Sequence, residues 1–314
     1  MKKGHIAFGL FLVALVVYPL YYTDPFPRHT MIMILLYATM GIGWNIIGGY
    51  TGQVSFGNAA FFGVGAYSAA VLLTTYGLSP WIGMVIGCGF SALVAIVVGY
   101  PCFRLQGHYF AIATIAVGEI ALVIFTNWQY VGGAVGIYIP IREESFWNFQ
   151  FHTTKLPYYY IILGMFLFGL AVCHAMERSR LGYYFRAIKD DPDGARSLGI
   201  NVQKYKLYAF MLSAVVTSIC GTFYAMYVLY IHPSNMFDLM LSINLCIIVL
   251  IGGIGRLIGP VIGAFLFIPL TELTRVYLGS EGQGIDMIIF ALIIILLATL
   301  RPQGLLSIFS KKAT

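Results

Sequence analysis

Charge is the scarcest property of this 314-residue sequence. Asp, Glu, Lys and Arg make up 10% of it, whereas hydrophobic residues make up 60%. Soluble domains carry roughly 25% charged residues, so this composition excludes an ordinary soluble enzyme or scaffold. The formal net charge of +6 does not collect in one soluble block, which argues against nucleic acid as a partner. The composition predicts an all-α polytopic membrane protein.

Signatures of catalysis and of metal binding are also missing. The sequence contains no Gly-Lys dipeptide, hence no phosphate-binding loop, and we expect no ATPase activity of its own. Its five cysteines form no Cys-x-x-Cys pair, and its six histidines show no metal-ligand spacing. No histidine or second acid stands at a readable spacing from Ser55 or Ser213, which argues against an intramembrane hydrolase. We therefore expect no enzyme, no metal and no other cofactor.

Apolar segments long enough to cross a membrane recur along the whole chain. A helix needs roughly 20 mostly apolar residues to span the hydrocarbon core. Ten segments meet or approach this length: 5–22, 30–48, 59–76, 80–99, 109–126, 158–176, 207–230, 240–255, 261–278 and 285–300. Residues 1–314 are thus predicted to be one transmembrane domain of about ten helices, some of them broken by glycines.

The distribution of basic residues predicts the orientation of these helices. With ten spans and an inner N-terminus, only four of the 18 Lys and Arg residues lie in outer segments, namely Arg28, Arg142, Lys155 and Arg275. Loops rich in Lys and Arg are retained on the cytoplasmic side. We expect a multi-pass protein of the cell inner membrane with both termini in the cytoplasm.

Two glycine-rich segments interrupt predicted spans. The first, 41–66, combines glycines with polar Gln53, Ser55 and Asn58 at membrane depth, and the second is 252–260. Non-helical backbone is tolerated there where protein buries it or where it lines an aqueous cavity, and broken helices are common in transporters. Close helix packing is the alternative use of such glycines. The sequence leaves both uses open.

A charged segment, residues 178–206, stands out against this apolar background. It holds seven basic and three acidic residues, with apolar residues at helical spacing between Ala187 and Leu198. This pattern predicts a short amphipathic helix at the cytoplasmic face, which suits docking to a soluble partner. The alternative is a solvated loop that only fixes the topology of the chain.

Acidic residues within the predicted spans are limited to Glu119 and Glu272. Glu272 stands three residues before Arg275, which predicts an ion pair within one helix. Glu119 has no such neighbour, so it is a candidate site residue, structural acceptor or coupling acid of an ion-driven carrier. Because one acid is too little for a proton relay, coupling to an ATPase on another subunit is the better prediction.

Six segments, in order along the chain, carry the motifs of one known family. They are GYTGQVSFGNAAFFGVGAYSA (49–69), FRLQGHYFAIATIAVGEI (103–120), NWQYVGGAVGI (127–137), ARSLGINVQKYKLYAF (195–210), LIGGIGRLIGPVIGA (250–264) and RPQGLL (301–306). Together they resemble the M-type permease subunit of branched-chain amino-acid ABC importers. The resemblance implies an all-helical importer-permease bundle, a homologous permease subunit, two cytoplasmic ATPase subunits and an extracytoplasmic substrate-binding protein.

The resemblance also implies roles for particular residues. The family's Ala-x-x-x-Gly coupling pattern falls on Ala195 and Gly199, and the Gly-Glu pair of its fifth span falls on Gly118 and Glu119. One departure lies in the Gly-Gly-x-x-Gly loop, 132–136, where the family often has a polar pair and this chain has Ala and Val. If this loop meets the substrate, aromatic or apolar amino acids become as plausible as leucine. If the loop is only a turn, the predicted substrate stays the same.

These patterns define two predicted sites and a predicted function. The substrate-path residues are Gln53, Ser55, Asn58, Tyr67, Thr114, Glu119, Gly132 and Gly133. The ATPase-coupling residues are Arg186, Asp190, Asp191, Ala195, Leu198 and Gly199. The predicted function is inward translocation of branched-chain or other apolar amino acids, driven by ATP hydrolysis on partner subunits. The alternatives are a urea or short-amide ABC permease and an ion-coupled secondary carrier.

Overall fold

Helices make up nearly all of the regular structure. The computed structural model describes residues 2–22, 24–105, 107–278 and 292. The helices are α1 (Lys2–Tyr21), α2 (Pro25–Asn45), α3 (Asn58–Tyr76), α4 (Pro80–Cys102), α5 (His108–Asn127), α6 (Leu156–Arg178), α7 (Arg180–Asp190), α8 (Pro192–Ser197), α9 (Val202–Val228), α10 (Pro233–Met236), α11 (Leu239–Gly252) and α12 (Gly259–Leu278). Two short strands, β1 (Ile137–Tyr138) and β2 (Tyr230–Ile231), pair antiparallel.

The described helices agree with the predicted spans. Seven are long and apolar enough to cross a membrane: Pro25–Tyr50, Asn58–Tyr76, Pro80–Cys102, His108–Asn127, Leu156–Arg178, Val202–Val228 and Pro233–Gly252. Two shorter apolar helices, Gly9–Tyr21 and Gly259–Thr274, lie where two more spans are predicted. An all-α polytopic membrane protein is confirmed. The tenth predicted span, 285–300, lies outside the described residues except for Leu292, and so does the side chain of Arg275, the predicted partner of Glu272.

Helices α2, α3 and α9 form the centre of the bundle. α2 packs against α6, α9 and α12, and α3, α4 and α9 all pack against one another. Glycines set the distance between α3 and α9, because a Cβ at Gly65 would lie 2.1 Å from Ser218 O and one at Gly221 would lie 2.0 Å from Phe62 O. α5 is mostly exposed in this chain. It therefore stands at the edge of the bundle.

The charged segment forms two helices instead of the single one predicted between Ala187 and Leu198. The residue before a proline is driven out of helical conformation, and Asp191, which precedes Pro192, has φ −152° and ψ 103°. α7 ends there. The Asp191 carboxylate then accepts a hydrogen bond from Asp193 N at 3.0 Å and caps α8.

Loops gather at two opposite ends of the bundle. At one end, Ile137 pairs with Ile231, and Ser79 Oγ donates to Trp147 O at 2.6 Å. At the other end, α7 packs against the residues that link α2 to α3. The loops that the sequence assigns to different sides of the membrane thus lie at different ends.

Candidate functional site

The first glycine break lies between α2 and α3. α2 continues as a π-helix, Ile46–Tyr50, and residues 51–57 then run without helical structure to the start of α3 at Asn58. Gly52 has a φ of 70°, a conformation that residues with a side chain rarely adopt. The predicted interruption of this span is confirmed.

Neighbouring helices satisfy the polar groups of this break. Trp44 Nε1 donates to Ser55 O at 2.7 Å, and Phe56 N donates to Thr114 Oγ1 of α5 at 3.0 Å. Ser55 and Thr114, both predicted path residues, are therefore close together, and both are fully buried. Gln53 is nearer the surface and only half-buried.

Asn58 attaches the start of α3 to α9. Its Nδ2 donates to Ser213 Oγ and to Thr217 Oγ1, each at 3.1 Å, and the residue is fully buried. Its Oδ1 has no hydrogen-bond partner in the described part of the chain. A buried acceptor without a donor is costly. This oxygen is therefore available to a polar group of a ligand or to water.

A second helix starts beside the start of α3. Ala59 N donates to Ser242 Oγ of α11 at 2.9 Å. Asp238 caps α11, and its Oδ1 accepts from Met240 N at 2.9 Å. The expectation that only two acids lie in spans is wrong, because Glu177 lies within the candidate span Leu156–Arg178 and Asp238 within Pro233–Gly252. An Asp directly before an apolar run is the N-cap signal that could have identified Asp238.

Asn45 joins the first glycine break to the second. Its Nδ2 donates to Arg256 O at 3.0 Å, and its Oδ1 accepts from Gly255 N at 2.8 Å. Gly255 has a φ of 73°, and a Cβ there would lie 2.8 Å from Gly49 O. Only glycine allows this approach of the two backbones. The sequence indicated both breaks but not the contact between them.

The charged segment reaches the same contact between the breaks. A Cβ at Gly255 would lie 2.9 Å from Lys189 Nζ, and one at Gly52 would lie 3.3 Å from Lys189 Cγ. The Lys189 side chain therefore lies against both breaks. One turn earlier, the Arg186 guanidinium lies 5.9 Å from the centre of the Tyr50 ring. α7 is thus in direct contact with the interrupted helices.

The other predicted coupling residues divide into buried and exposed positions. Ala195 is buried against residues of α7 and α9. Asp190, Asp191 and Gly199 are exposed, and Leu198 is 81% exposed. A large apolar side chain at the surface of a charged segment is typical of an anchor for a partner groove.

Tyr67 lines an apolar pocket between α3, α4 and α5. The pocket has a volume of about 400 Å³, and Val94 and Phe125 form part of its wall. Tyr67 is 1% exposed, and its hydroxyl has no hydrogen-bond partner among the described residues. At the edge of the pocket, the hydroxyls of Tyr76 and Tyr130 lie 3.1 Å apart. Small-molecule sites typically enclose roughly 300–1,000 Å³ of mostly apolar surface with a few polar groups, so a small apolar ligand fits here.

Glu119 lies on the outward face of α5, near the middle of the helix. Its neighbours on that face, Ile112 and Val123, are also exposed in this chain. Thr114 and Gly118 lie on the buried face, so Glu119 does not join the polar cluster around Asn58. A carboxyl at this depth avoids lipid. The outward face of α5 therefore requires contact with protein or water.

Gly132 and Gly133 belong to a tight turn at the opposite end of the bundle from the glycine breaks. Gly132, Gly133 and Gly136 have φ values of 84°, 50° and 81°, so the backbone itself requires these glycines. Tyr230 Oη donates to Val135 O at 3.0 Å, and the Val135 side chain is exposed. These two predicted path residues are thus separate from Asn58, with Gly132 half-buried and Gly133 buried.

Hydrogen bonds order the loop that follows this turn. Arg142 Nη2 donates to Leu73 O of α3 at 3.2 Å. The Glu144 carboxylate accepts hydrogen bonds from the Thr153 hydroxyl and from the backbone N–H groups of Thr153 and His152. These bonds hold the pKa of Glu144 below its usual range. The loop is therefore a defined surface at this end of the molecule.

Comparisons with known proteins identify the family. Residues 27–297 match the family described as "Branched-chain amino acid transport system / permease component". LivM of Escherichia coli (strain K12), a "High-affinity branched-chain amino acid transport system permease protein", is 29% identical over 95% of this chain and 74% of its own. LivH of Salmonella typhimurium, with the same description, is 23% identical over 86% of this chain and 91% of its own.

A sugar permease is among the relatives as well. FrcC of Rhizobium meliloti, a "Fructose import permease protein", is 26% identical over 71% of this chain and 63% of its own. No solved structure matches the chain. Because the family match extends over most of the sequence and over every element of the site described above, this protein belongs to the permease family of branched-chain amino-acid transport systems.

Proposed function

We propose that this chain is the substrate-translocating permease subunit of an ABC importer for branched-chain or other apolar amino acids. Substrate moves inward through it, and ATP hydrolysis on two partner subunits drives the movement. A homologous permease and an extracytoplasmic substrate-binding protein complete the transporter. The observation that carries the substrate assignment is the apolar pocket around Tyr67 in a member of this permease family.

The pocket lining supports an apolar amino acid over a sugar or urea. Aromatic and aliphatic side chains, among them Phe90, Phe125 and Trp128, form most of the wall. A sugar would bring several hydroxyls into this wall, and each buried hydroxyl without a partner costs about 1–3 kcal/mol. An apolar side chain instead gains roughly 25 cal/mol per Å² of surface removed from water.

The polar cluster at the glycine break suits the charged end of an amino acid. Asn58 begins α3, and a helix N-terminus carries a partial positive charge that favours a carboxylate. Ser55 and Thr114 lie beside it. We assign to these residues the passage of the substrate carboxylate and ammonium groups through the apolar part of the membrane.

The outward face of α5 is the proposed boundary with the partner permease. Glu119 is exposed there in the described chain, and water or protein stabilises a carboxyl at this depth better than lipid does. LivM and LivH, both matched by this chain, are each named as a permease protein of a branched-chain amino-acid transport system. Two similar permease proteins with the same system description support a transporter in which two homologous subunits surround one path.

The charged segment, residues 178–206, is the proposed dock for an ATPase subunit. Its excess of Lys and Arg places it in the cytoplasm, and both chain termini lie on the same side. The exposed Leu198 and Asp190 are proposed to contact the ATPase, while Lys189 lies against the glycine breaks. The loop after α5, at the other end, is the proposed surface for the binding protein.

Uptake into vesicles tests this proposal. The chain is reconstituted with its co-purifying subunits, with ATP inside the vesicles and binding protein with labelled substrate outside. We expect leucine uptake that requires ATP, with Tyr67→Ala lowering uptake about tenfold, equivalent to roughly 1.4 kcal/mol. Tyr21→Ala, at an exposed position of α1 outside the pocket and outside the loop after α5, is the control and keeps normal uptake. Preferential uptake of fructose or urea, or ATP-independent uptake that follows a pH gradient, rejects the proposal.

A further inference from the structure

A second pocket, at the same end of the bundle as the charged segment, is strongly basic. It has a volume of about 400 Å³ and lies between the end of α4, α8 and the start of α9. Arg104, Arg196 and Lys206, from three different parts of the chain, line it. Among the described residues no acidic side chain lines this pocket. None of the predicted path or coupling residues belongs to it.

The protein itself compensates little of this positive charge. Of the three cations, Arg196 alone forms an ion pair within the described ranges, with Asp193 at 2.7 Å. That carboxylate is 86% exposed, and exposed ion pairs contribute about 0–1 kcal/mol. The Arg104 guanidinium lies 5.2 Å from the centre of the Tyr100 ring, and Lys206 is half-buried. An anion in the pocket would relieve the mutual repulsion of the three cations.

The pocket lies where two candidate membrane spans end. α4 ends at Cys102 and α9 begins at Val202. The outward face of α4 leads to Arg104 through exposed apolar residues, with Val97 63% and Tyr100 57% exposed. Tyrosine is typical of the boundary between hydrocarbon and water. A basic pocket thus continues directly into an apolar surface.

We propose that this pocket binds the headgroup phosphate of an anionic phospholipid. Arg104 binds two phosphate oxygens through its planar guanidinium, Lys206 contributes a third hydrogen bond, and Arg196 adds charge. The acyl chains lie along Val97 and Tyr100 of α4. Basic pockets between membrane helices on the cytoplasmic side hold such headgroups. The assignment to the inner leaflet rests on the proposed orientation of the chain, whereas the headgroup chemistry does not.

Binding of the lipid would also hold the charged segment in place. Arg196 belongs to α8, whereas Arg104 follows α4 and Lys206 belongs to α9. A phosphate bound to all three joins the proposed ATPase dock to two membrane helices. Anionic lipid therefore acts as a structural part of the cytoplasmic end.

Native mass spectrometry tests this assignment. The full chain, purified with its subunits, is delipidated and then loaded with either phosphatidylglycerol or phosphatidylcholine. We expect retained phosphatidylglycerol to fall at least fivefold in Arg104→Gln and Lys206→Gln and to be kept in Lys206→Arg. Lys204→Gln is the matched control, because it removes the same charge from an exposed position of α9 outside the pocket. That control retains the lipid.

Three results would overturn the assignment. The first is equal lipid retention in Arg104→Gln, Lys206→Gln and the unmodified chain. The second is displacement of phosphatidylglycerol by millimolar inorganic phosphate, which would identify a site for free phosphate. The third is loss of the lipid whenever the ATPase subunits are bound, which would make the pocket a protein contact. Thermal unfolding in lipid-free detergent shows whether each variant is folded. If a glutamine variant is not folded, the lipid retained by Lys206→Arg decides the outcome in its place.

Discussion

At the residue scale, the hydrogen bonds of Asn58 lead to a prediction about both stability and transport. In Asn58→Leu, Ser213 and Thr217 each lose a donor. Hydrogen bonds between membrane helices contribute about 0.6–2 kcal/mol each, so loss of these two should lower the free energy of unfolding by about 1–4 kcal/mol. Substrate uptake should fall too, because the free Oδ1 is removed, while the subunits still assemble.

Asn127→Leu is the matched control for this change. Asn127 is exposed and donates only to Val123 O of its own helix, at 2.8 Å. Its replacement should change the free energy of unfolding by less than about 0.5 kcal/mol. Thermal unfolding and vesicle uptake are measured for both variants. Normal uptake together with raised stability in Asn58→Leu would show that the break is a packing contact and that the path lies elsewhere.

Glu119 gives a second prediction at this scale. Because ATP drives transport in the proposed function, Glu119 has no need to carry protons. Glu119→Gln keeps the shape and most hydrogen bonding of the side chain, so uptake should stay within about twofold. Glu119→Ala leaves a polar position unfilled, so uptake should fall about tenfold, equivalent to roughly 1.4 kcal/mol. ATP-driven uptake in vesicles compares the two. Equal loss in both variants would mean that ionisation itself is required.

At the scale of elements, the contact between the glycine breaks predicts a coupling defect. In Gly255→Ala, the added Cβ would lie 2.8 Å from Gly49 O and 2.9 Å from Lys189 Nζ. The two breaks must therefore separate, and the Lys189 ammonium, at the end of a flexible side chain, must move away. We expect ATP hydrolysis to continue while substrate transported per ATP falls severalfold. Phosphate release and uptake are measured in the same vesicles.

Gly77→Ala separates this contact from backbone strain. Gly77 also has a left-handed φ, 67°, but a Cβ there meets nothing closer than 3.8 Å. Both replacements carry a conformational cost of about 1–2 kcal/mol, and only Gly255→Ala adds the clash. If the two variants transport equally well per ATP, the contact between the two breaks has no part in coupling.

At the scale of the whole molecule, the two ends of the bundle predict the accessibility of single cysteines. Glu143 lies in the exposed loop after α5, and Ser197 lies in the charged segment at the other end. In a background without native cysteines, a membrane-impermeant maleimide should label Glu143→Cys in intact cells. Ser197→Cys should react only after the membrane is opened. Labelling of Glu143→Cys from the inside alone would reverse the proposed orientation.

The membrane class, the approximate spans and both glycine breaks could be predicted from the sequence. These follow from composition and local pattern, because a span must satisfy its own backbone groups and its hydrophobicity is visible in consecutive residues. The helix predicted between Ala187 and Leu198 was wrong in one respect. The restriction that Pro192 places on Asp191 ends the first helix there, and this restriction is readable in the sequence.

The contacts between distant residues could not be predicted from the sequence. Asn45 and Gly255 are 210 positions apart and share a hydrogen bond, while Asn58 reaches Ser213 across 155 positions. Arg104 likewise lines one pocket with Arg196 and Lys206, which lie 92 and 102 positions later. Helical periodicity fixes the face on which a residue lies, not the helix that packs against it. The chemistry of these contacts therefore depends on how the helices pack.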